Sequence, residues 1–396
     1  MIDPNQSDSP GDSIEETADQ MPRVLNPSAT MLTTRELNRA TLARQALIER
    51  SDLTPFAMVE HLVGMQAQAP NPPYIGLWTR LGNFNPDDLS GLILDRSIVR
   101  IALMRSTVHM VTAEDALLLS PLTRSIAEAH LSQKSFHTEA IAGVDLARLK
   151  EIARDLLEQR PRTLNELRPL LGEHFPDSDT EQLAWAVRLL LPLVQVPPRG
   201  IWGTGGLPIC TTLGSWLGRD LHPEPAIDGI VLRYLRAFGP ASVRDAQVWM
   251  GLTRLGDVFA RLRPQLVSFV NDAGVELFDL PDASRPDAET PVRPRILPAW
   301  DNVLISYADR RRMISEEFRP RVFSQNGIIQ STLLVDGFVA GVVTMKRLKK
   351  TASVEIELLT TISPDDRELA AIEAHALLAF AEPNAETHEV RFTSAI

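Results

Sequence analysis

An internal repeat constrains the fold of this chain more than any other feature of its sequence. The segment RPRTLNE at 160–166 aligns with GPASVRD at 239–245, an offset of 79 residues, and the same offset pairs Gly172 with Gly251. Two stretches that share both a pattern and a spacing indicate that one supersecondary motif occurs twice.

The later copy, at 227–280, has the element order of a winged helix. Apolar residues at helical spacing open it, and Gly239 ends this first helix. The sequence predicts a second helix after Pro240 and a third helix at 253–262. Two segments of alternating apolar and polar residues then flank the sequence NDAG at 271–274, which predicts a hairpin.

The earlier copy repeats this order. Thr163 and Glu166 have the spacing of a capping box at a helix N-terminus. A third helix is predicted at 180–191. A strand at 194–196 and the turn that follows it predict a wing.

A looser third copy precedes both. The predicted elements are helices at 34–50, 54–65, 73–81 and 86–95 and strands at 99–104 and 107–111. In this arrangement Gln66 and Gln68 would lie at the end of the second of these helices.

We therefore predict a mainly helical α+β chain with three tandem winged-helix modules and a C-terminal region that contains β-strands. In that region Asp336-Gly337 predicts a two-residue type I′ hairpin. The predicted divisions are a disordered acidic tail (1–30), a first winged helix (31–135), a second winged helix (136–222), a third winged helix (223–290) and a β-rich C-terminal region (291–396).

Charge and composition narrow the classes of function. The net charge is −11, of which the first 30 residues contribute −5, whereas residues 292–350 contain eleven basic and five acidic residues. The protein can therefore have a basic surface patch although its net charge is negative. The single cysteine, Cys210, excludes an internal disulfide. Without a secretory signal or an apolar run of about 20 residues, we expect a cytoplasmic protein, at the bacterial nucleoid, with no membrane partner.

The sequence contains none of the usual motifs for binding a metal ion or a nucleotide cofactor. The eight histidines are scattered without metal-ligand spacing. The sequence GTGG at 203–206 fits neither the dinucleotide fingerprint nor the phosphate loop, so it predicts a turn. We expect no metal and no cofactor.

Winged helices commonly bind DNA through their third helix and their wing. The candidate DNA contacts are Arg254, at the start of the predicted third helix of the last module, and two basic runs, Arg310, Arg311, Arg312 and Lys346, Arg347, Lys349. The alternative for each run is a solvated surface that does not touch DNA.

The tripeptide Gln66-Ala67-Gln68, called here the Gln-Ala-Gln tripeptide, is a candidate for catalysis. Amide side chains are poor acids and bases, but they hydrogen-bond water and can point carbonyl dipoles at a developing positive charge. That chemistry suits a reaction whose leaving group is already activated. The alternative is a polar, solvated helix end.

The sequence LTTRELNRATLARQALIERSDLTPFAMVEHLVGMQAQAPNPPYIGLWTRL, at 32–81, resembles the N-terminus of the AlkZ-like DNA glycosylases. LPAWDN at 297–302 and SYADRRR at 306–312 are also similar to that family. The resemblance covers 31–396. The family's catalytic motif is Gln, an apolar residue, Gln, and the tripeptide matches it. A related branch has Asp at the second Gln, so Gln68 indicates the branch specialised for interstrand crosslinks.

The resemblance implies a C-shaped scaffold with an open channel and a monofunctional glycosylase. The implied substrate is double-stranded DNA with N7-alkylated or N7-crosslinked purines, in DNA repair or in genotoxin self-resistance. Gln66 and Gln68 would jointly position the nucleophilic water and stabilise the oxocarbenium-like transition state at C1′. We expect a monomer. No lysine lies near the tripeptide to form a Schiff base, so no lyase activity is expected.

Two other classes of function remain open from the residues alone. A non-catalytic winged-helix DNA-binding regulator would bind DNA without cleaving alkylated bases. A protein-interaction scaffold would show no salt-dependent affinity for DNA. The sequence does not divide the catalytic roles between Gln66 and Gln68.

Overall fold

The computed structural model describes residues 30–222 and 225–394. These residues divide into two compact units: unit 1 contains 30–50, 238–242 and 265–394, and unit 2 contains the described residues of 51–237 and 243–264. The predicted acidic tail, up to residue 29, lies outside the described residues. No helix in the described ranges is long and apolar enough to cross a membrane.

The helices and strands are numbered along the chain. Up to residue 112 they are β1 (Thr30–Leu32), α1 (Thr34–Arg44), α2 (Pro55–His61), β2 (Met65–Gln66), α3 (Pro72–Arg80), α4 (Pro86–Leu94), β3 (Ile98–Ala102) and β4 (Val108–Thr112). From 113 to 217 they are α5 (Ala113–Ser132), α6 (Phe136–Ala140), α7 (Leu146–Gln159), β5 (Arg162–Thr163), α8 (Leu164–His174), α9 (Thr180–Leu190), β6 (Leu193–Val196), β7 (Ile209–Thr212) and α10 (Leu213–Leu217). The remaining elements are α11 (Ile227–Phe238), α12 (Val243–Met250), α13 (Gly256–Leu262), β8 (Val267–Asn271), β9 (Glu276–Asp279), β10 (Arg295–Leu297), α14 (Asn302–Ile305), α15 (Arg319–Val322), β11 (Ser331–Val335), β12 (Phe338–Leu348), β13 (Thr351–Leu358), α16 (Pro364–Ala381) and β14 (Thr387–Ser394).

Unit 2 contains a six-stranded sheet with the order β2-β4-β3-β6-β7-β5. Each half of this sheet follows the winged-helix pattern: a helix, a short strand, two helices and a two-stranded wing. The short strand pairs with the second strand of its own wing, β2 with β4 and β5 with β7. The two wings join edge to edge because β3 pairs antiparallel with β6, with Arg100 opposite Gln195. The predicted mixed α and β fold with winged-helix modules is confirmed.

Several local predictions hold in detail. Thr163 caps α8, and its backbone N–H donates to Glu166 Oε2 at 2.8 Å, so the predicted capping box is present. Asp336 and Gly337 both have positive φ, 48° and 83°, at the turn between β11 and β12. Positive φ at both central residues is the signature of a type I′ turn.

The later copy of the repeat, at 227–280, has the same order. Helices α11, α12 and α13 precede the hairpin β8–β9, and Ala241 bridges antiparallel to Phe278 on the second wing strand. Most of α11 and all of α12 and α13 belong to unit 2, whereas the bridge and the hairpin belong to unit 1.

Unit 1 is built on a five-stranded sheet in the order β10-β11-β12-β13-β14, and β1 pairs parallel with β8 in a smaller sheet. Leu42 and Leu47 pack in one buried cluster with residues of the C-terminal region. The Asn38 side chain donates to the carbonyl oxygens of Arg312 and Gly337, both at 2.8 Å. Helix α1 therefore shares a core with the C-terminal sheet.

Two predicted helices are too long. The helix predicted at 34–50 ends at Arg44, and the helix predicted at 54–65 ends at His61. Val63 and Gly64 adopt positive φ, 53° and 96°, which a right-handed helix cannot include. The placement of Gln66 at a helix end was therefore wrong, because Gln66 is the last residue of strand β2.

Candidate active site

The Gln-Ala-Gln tripeptide begins on an edge strand of the six-stranded sheet. Gln66 lies opposite His109 in the antiparallel pair of β2 and β4. The Ala67 N–H donates to the Val108 carbonyl oxygen at 2.7 Å and so extends the pairing by one residue. The tight turn at Gly64 makes this possible, because a Cβ there would lie 2.4 Å from Val111 Cγ1.

Gln66 is held by a cation. Its side chain is 7% exposed, and Oε1 accepts a hydrogen bond of 3.0 Å from Arg105 Nη2. Nη1 of the same guanidinium donates to the Trp249 carbonyl oxygen. One planar guanidinium therefore connects Gln66 to the backbone at the end of α12.

His109 completes this contact. Its Nδ1 lies 2.8 Å from the Thr107 carbonyl oxygen, and its Nε2 lies 3.3 Å from Arg105 Nη2. A carbonyl oxygen only accepts, so Nδ1 carries the proton and Nε2 accepts from Arg105. Burial, and then the charge of Arg105, lowers the pKa of His109 to about 3. His109 is therefore neutral at pH 7.

Gln68 is anchored differently. Its side chain is half-buried, and Oε1 accepts from the backbone N–H of Val108 at 3.0 Å. Both amide side chains of the tripeptide thus bond to the wing segment 105–109. The difference is that Gln66 faces a cation and Gln68 faces a neutral peptide N–H.

A second cation lies behind the tripeptide. Arg100 is 1% exposed, and its Nη2 donates to the Ala67 carbonyl oxygen at 2.8 Å and to Gln195 Oε1 at 3.4 Å. In the described part of the chain, its Nε and Nη1 have no hydrogen-bond partner. Burial, and then the charge of Arg199, lowers the pKa of Arg100 to about 10. Cations therefore bond to both Gln66 and Ala67.

The sequence did not point to Arg100, Arg105 or His109. Arg100 carried a weak signal, because a charged residue within the apolar run IVRIA is rare unless it has a buried partner. Arg105 and His109 carried none, since their contacts depend on how the wing pairs with β2.

The predicted basic run at 310–312 divides into three environments in unit 1. The Arg310 guanidinium lies over the Phe323 ring, 4.7 Å from its centroid. Arg311 is exposed and pairs with Asp309 at 2.7 Å. Arg312 is 5% exposed and donates to the Pro240 carbonyl oxygen at 2.9 Å. A phosphate would have to displace this contact to reach the guanidinium, so Arg312 is the least accessible of the three candidate DNA contacts, and its role stays a prediction.

The second predicted run lies at the exposed end of the β12–β13 hairpin. Lys346 pairs with Glu355 at 3.2 Å, and Arg347 pairs with Glu382 at 2.6 Å. Lys349 is exposed at the turn with a φ of 54°. Two of the three charges are thus already matched by carboxylates within the chain.

Arg254 does not begin a helix, because α13 starts at Gly256. It is an exposed loop residue with a φ of 62°. Within the ranges that the structure describes, it has no ion-pair partner, so its charge is available to a ligand.

A metal site requires several possible ligands arranged around one ion. Among residues 30–222 and 225–394, no group of three or more His, Cys, Asp or Glu side chains is arranged to hold a metal ion. The reactive groups that the tripeptide offers are two uncharged amides, which do not titrate near pH 7.

The family described as DNA glycosylase AlkZ-like matches residues 59–380, which include the tripeptide and the segment 100–109. This chain belongs to the AlkZ-like DNA glycosylase family. The predicted family is therefore confirmed, and the activity of that family is cleavage of the N-glycosidic bond in DNA.

Proteins of Streptomyces sahachiroi are among those to which this chain is similar. The interstrand DNA cross-link repair glycosylase of that organism is 24% identical over 352 residues, which cover 83% of this chain and 90% of that protein. The structure of S. sahachiroi DNA glycosylase AlkZ matches with a TM-score of 0.75 at 20% identity, covering 92% of this chain and all of that chain. The structural likeness establishes the shared fold.

Proposed function

We propose that this protein is a monofunctional DNA glycosylase that hydrolyses the N-glycosidic bond of N7-alkylated purines and unhooks N7-linked interstrand crosslinks. The observation that carries the proposal is the Gln-Ala-Gln tripeptide, whose two amides are both anchored to one wing segment. The name of the S. sahachiroi relative, an interstrand cross-link repair glycosylase, supports the choice of substrate.

The chemistry of the lesion fits a site without an acid or a base. Alkylation at N7 gives the purine a positive charge, so the base leaves as a neutral molecule when the bond from C1′ to N9 breaks. Water attacks C1′ and releases its proton to solvent, which leaves an abasic site. The barrier is lowered by positioning the water and by preorganised dipoles, and both are within the capacity of amides.

The surroundings of the two amides favour Gln68 as the residue that holds the water. Its carbonyl oxygen has two lone pairs, of which Val108 N–H takes one, and its side chain is less buried than that of Gln66. The Gln66 oxygen faces the Arg105 cation at 3.0 Å, which weakens its ability to stabilise positive charge at C1′. Gln66 would then orient the lesion or the water.

DNA binding is proposed to use exposed cations. Arg254 is the strongest of these, followed by Lys349, whereas Arg311 would first have to leave Asp309. Lys346 and Arg347 would first have to leave their carboxylate partners. We expect a monomer acting on double-stranded DNA at the nucleoid.

A duplex with a single N7-linked interstrand crosslink tests the proposal. In denaturing gels, wild-type protein should convert the crosslinked species into separated strands, one of which carries an abasic site. Gln66→Ala and Gln68→Ala should each slow the conversion by roughly 100-fold. Gln159→Ala, an exposed glutamine at the end of α7, is the matched control and should act like wild type.

The control reactions separate the other classes of function. Borohydride should trap no covalent complex, because a monofunctional enzyme forms no Schiff base. DNA binding with intact crosslinks and intact N7-alkylguanine would instead indicate a winged-helix regulator. A protein with no salt-dependent DNA affinity would be a scaffold.

A further inference from the structure

We infer that Arg105 is a positioning residue that, supported by His109, sets the orientation of the Gln66 amide for catalysis. The inference rests on the proposed function and deepens it, because it assigns a role to a residue outside the tripeptide. Arg105 acts through Gln66, so it is distinguished from a residue that touches DNA itself.

The guanidinium has three partners in three directions. It donates to the Trp249 carbonyl oxygen, to Gln66 Oε1 and to His109 Nε2. A guanidinium is planar and presents its donors in a fixed fork. Binding the Trp249 carbonyl and the His109 ring therefore fixes the position of the nitrogen that holds Gln66.

His109 can only strengthen this arrangement in one tautomer. The Thr107 carbonyl oxygen requires the proton on Nδ1, so Nε2 presents a lone pair to the guanidinium. Its ring is 1% exposed. A neutral, buried acceptor keeps the cation between itself and Gln66 without offering a carboxylate that would draw the guanidinium away.

The backbone at Arg105 is held in an unusual conformation. Arg105 and Ser106 both have a φ of 55°, in the turn between β3 and β4. Consecutive non-glycine residues with positive φ persist only when surrounding contacts impose them, and such residues concentrate at functional sites. Gly251, with a φ of 80°, packs so closely against this turn that a Cβ there would lie 2.8 Å from the backbone nitrogen of Arg105.

These contacts make a specific kinetic prediction. Without Arg105, the Gln66 oxygen loses its hydrogen bond of 3.0 Å from the guanidinium, and the amide can leave its reactive orientation. A misplacement of about 1 Å at a reacting group costs on the order of 100-fold in rate. The loss should appear in the chemical step and not in the binding of DNA.

The test is a double-mutant cycle under single-turnover conditions. The variants Arg105→Ala, Gln66→Ala and Arg105→Ala/Gln66→Ala act on a duplex with one N7-methylguanine, and lesion-DNA affinity is measured in parallel. Arg105→Ala should lower the rate constant by about 100-fold, with a change in Kd below about threefold. The double variant should be no slower than Gln66→Ala alone, because residues that act as a unit are not additive.

Two further variants give the comparison its controls. Arg105→Lys keeps the charge but loses the fork, so it should bind DNA like wild type and cleave slowly. If Arg105 instead contacted a DNA phosphate, lysine would largely replace it, and Arg105→Lys would both bind and cleave DNA nearly like wild type. Arg124→Ala removes an exposed arginine of α5 that pairs with Glu128, and it should leave the rate constant unchanged.

Rate losses that multiply in the double variant would overturn the inference, because Arg105 would then act independently of Gln66. A weaker Kd with an unchanged rate constant would also overturn it and make Arg105 a DNA contact. Wild-type protein that cleaves no alkylated duplex would contradict the proposed function alone. NMR of the Gln66 side-chain amide would then still decide the inference: its signals should move in Arg105→Ala, and unchanged signals would overturn it.

Discussion

In the candidate site, buried and half-buried arginines bond to uncharged partners. Arg100 bonds to the Ala67 carbonyl and Arg105 to the Gln66 amide, and the neutral ring of His109 lies beside Arg105. This arrangement has two consequences. The site contains a histidine that resists protonation, and the reaction proposed for it should not depend on a titrating base near neutral pH.

The first prediction concerns His109 and the pH dependence of stability. Its pKa falls from 6.5 to about 3 on folding, because the ring is buried beside Arg105. Between these pH values the unfolded chain binds a proton at His109 that the folded protein does not bind. The contribution of His109 to the free energy of unfolding is therefore complete above pH 6.5 and is lost as the pH falls toward 3. The loss should be about 1 kcal/mol of unfolding free energy per pH unit.

Urea unfolding at pH 7, 6 and 5 measures this effect. His109→Gln does not titrate, so the difference between the two proteins isolates the contribution of the ring. The free energies of unfolding should converge as the pH falls. Parallel pH profiles for wild type and variant would show that His109 is protonated as easily in the folded protein as in the unfolded chain.

At this scale the sequence predicted Gln66 and Gln68 as site residues, and that assignment stays a prediction. Their surroundings could not be predicted, since Arg105 and His109 come near Gln66 only through the pairing of β2 with β4. The sequence also did not distinguish Arg312, which is buried, from its neighbour Arg311, which is exposed.

Among the elements, the change from α2 to β2 determines where the tripeptide lies. Three residues, from Leu62 to Gly64, turn the chain from the helix into the strand, and the positive φ of Val63 and Gly64 makes the turn. Gly64 also lies against Val111 of β4. Packing at this turn therefore determines the register of β2 against β4, which places Gln66 opposite His109.

The second prediction is that Gly64→Ala disturbs this turn. A Cβ would lie 2.4 Å from Val111 Cγ1, at a φ of 96° that alanine rarely adopts. We expect a loss of about 2 kcal/mol or more in unfolding free energy and a slower cleavage reaction. Thermal and urea unfolding, with the single-turnover assay, measure both effects.

Gly91→Ala is the matched control. Gly91 lies inside α4, and a Cβ there would meet nothing within 4 Å. Alanine is the better helix former, so this variant should gain roughly 0.5–1 kcal/mol. Equal effects of the two substitutions would mean that the turn at Gly64 is not constrained.

Local signals predicted the elements that depend on neighbouring residues. The capping box of α8 and the type I′ turn at Asp336-Gly337 both follow from short-range rules. The two-residue strands β2 and β5 and the joining of β3 with β6 did not follow from such rules. They form only through pairing between distant segments, and a two-residue strand has no detectable periodicity.

For the whole molecule, the repeat predicted the order of the winged-helix motifs, and the five-segment division of the chain stays a prediction. The repeat could not predict that helix α1 would share a core with the C-terminal sheet. Residues 37–42 of α1 are all buried, and Asn38 and Arg39 among them are polar, so no apolar face in the sequence indicates which distant segments cover this helix.

The third prediction separates exposed from buried arginines. Arg254→Ala should weaken binding to DNA of any sequence and reduce the slope of log K against log salt by about 1. Arg312 lies over the Tyr307 ring, 4.1 Å from its centroid, and bonds to Pro240. Arg312→Ala should therefore lower stability by roughly 2 kcal/mol.

Salt titrations of DNA binding and urea unfolding of the two variants check this prediction. The Arg312→Ala protein that remains folded should keep the wild-type salt slope. A reduced slope for Arg312→Ala with unchanged stability would reverse the assignments of the two residues.

The most direct measurement of the proposed function is excision of one N7-methylguanine from a duplex, in EDTA and under single-turnover conditions, followed by mild alkali. Wild-type protein should produce strand breaks at the lesion, and Gln66→Ala and Gln68→Ala should each reduce their rate by roughly 100-fold while keeping the fold and the affinity for DNA. Equal rates for wild type and both variants would show that the Gln-Ala-Gln tripeptide does not carry the chemistry.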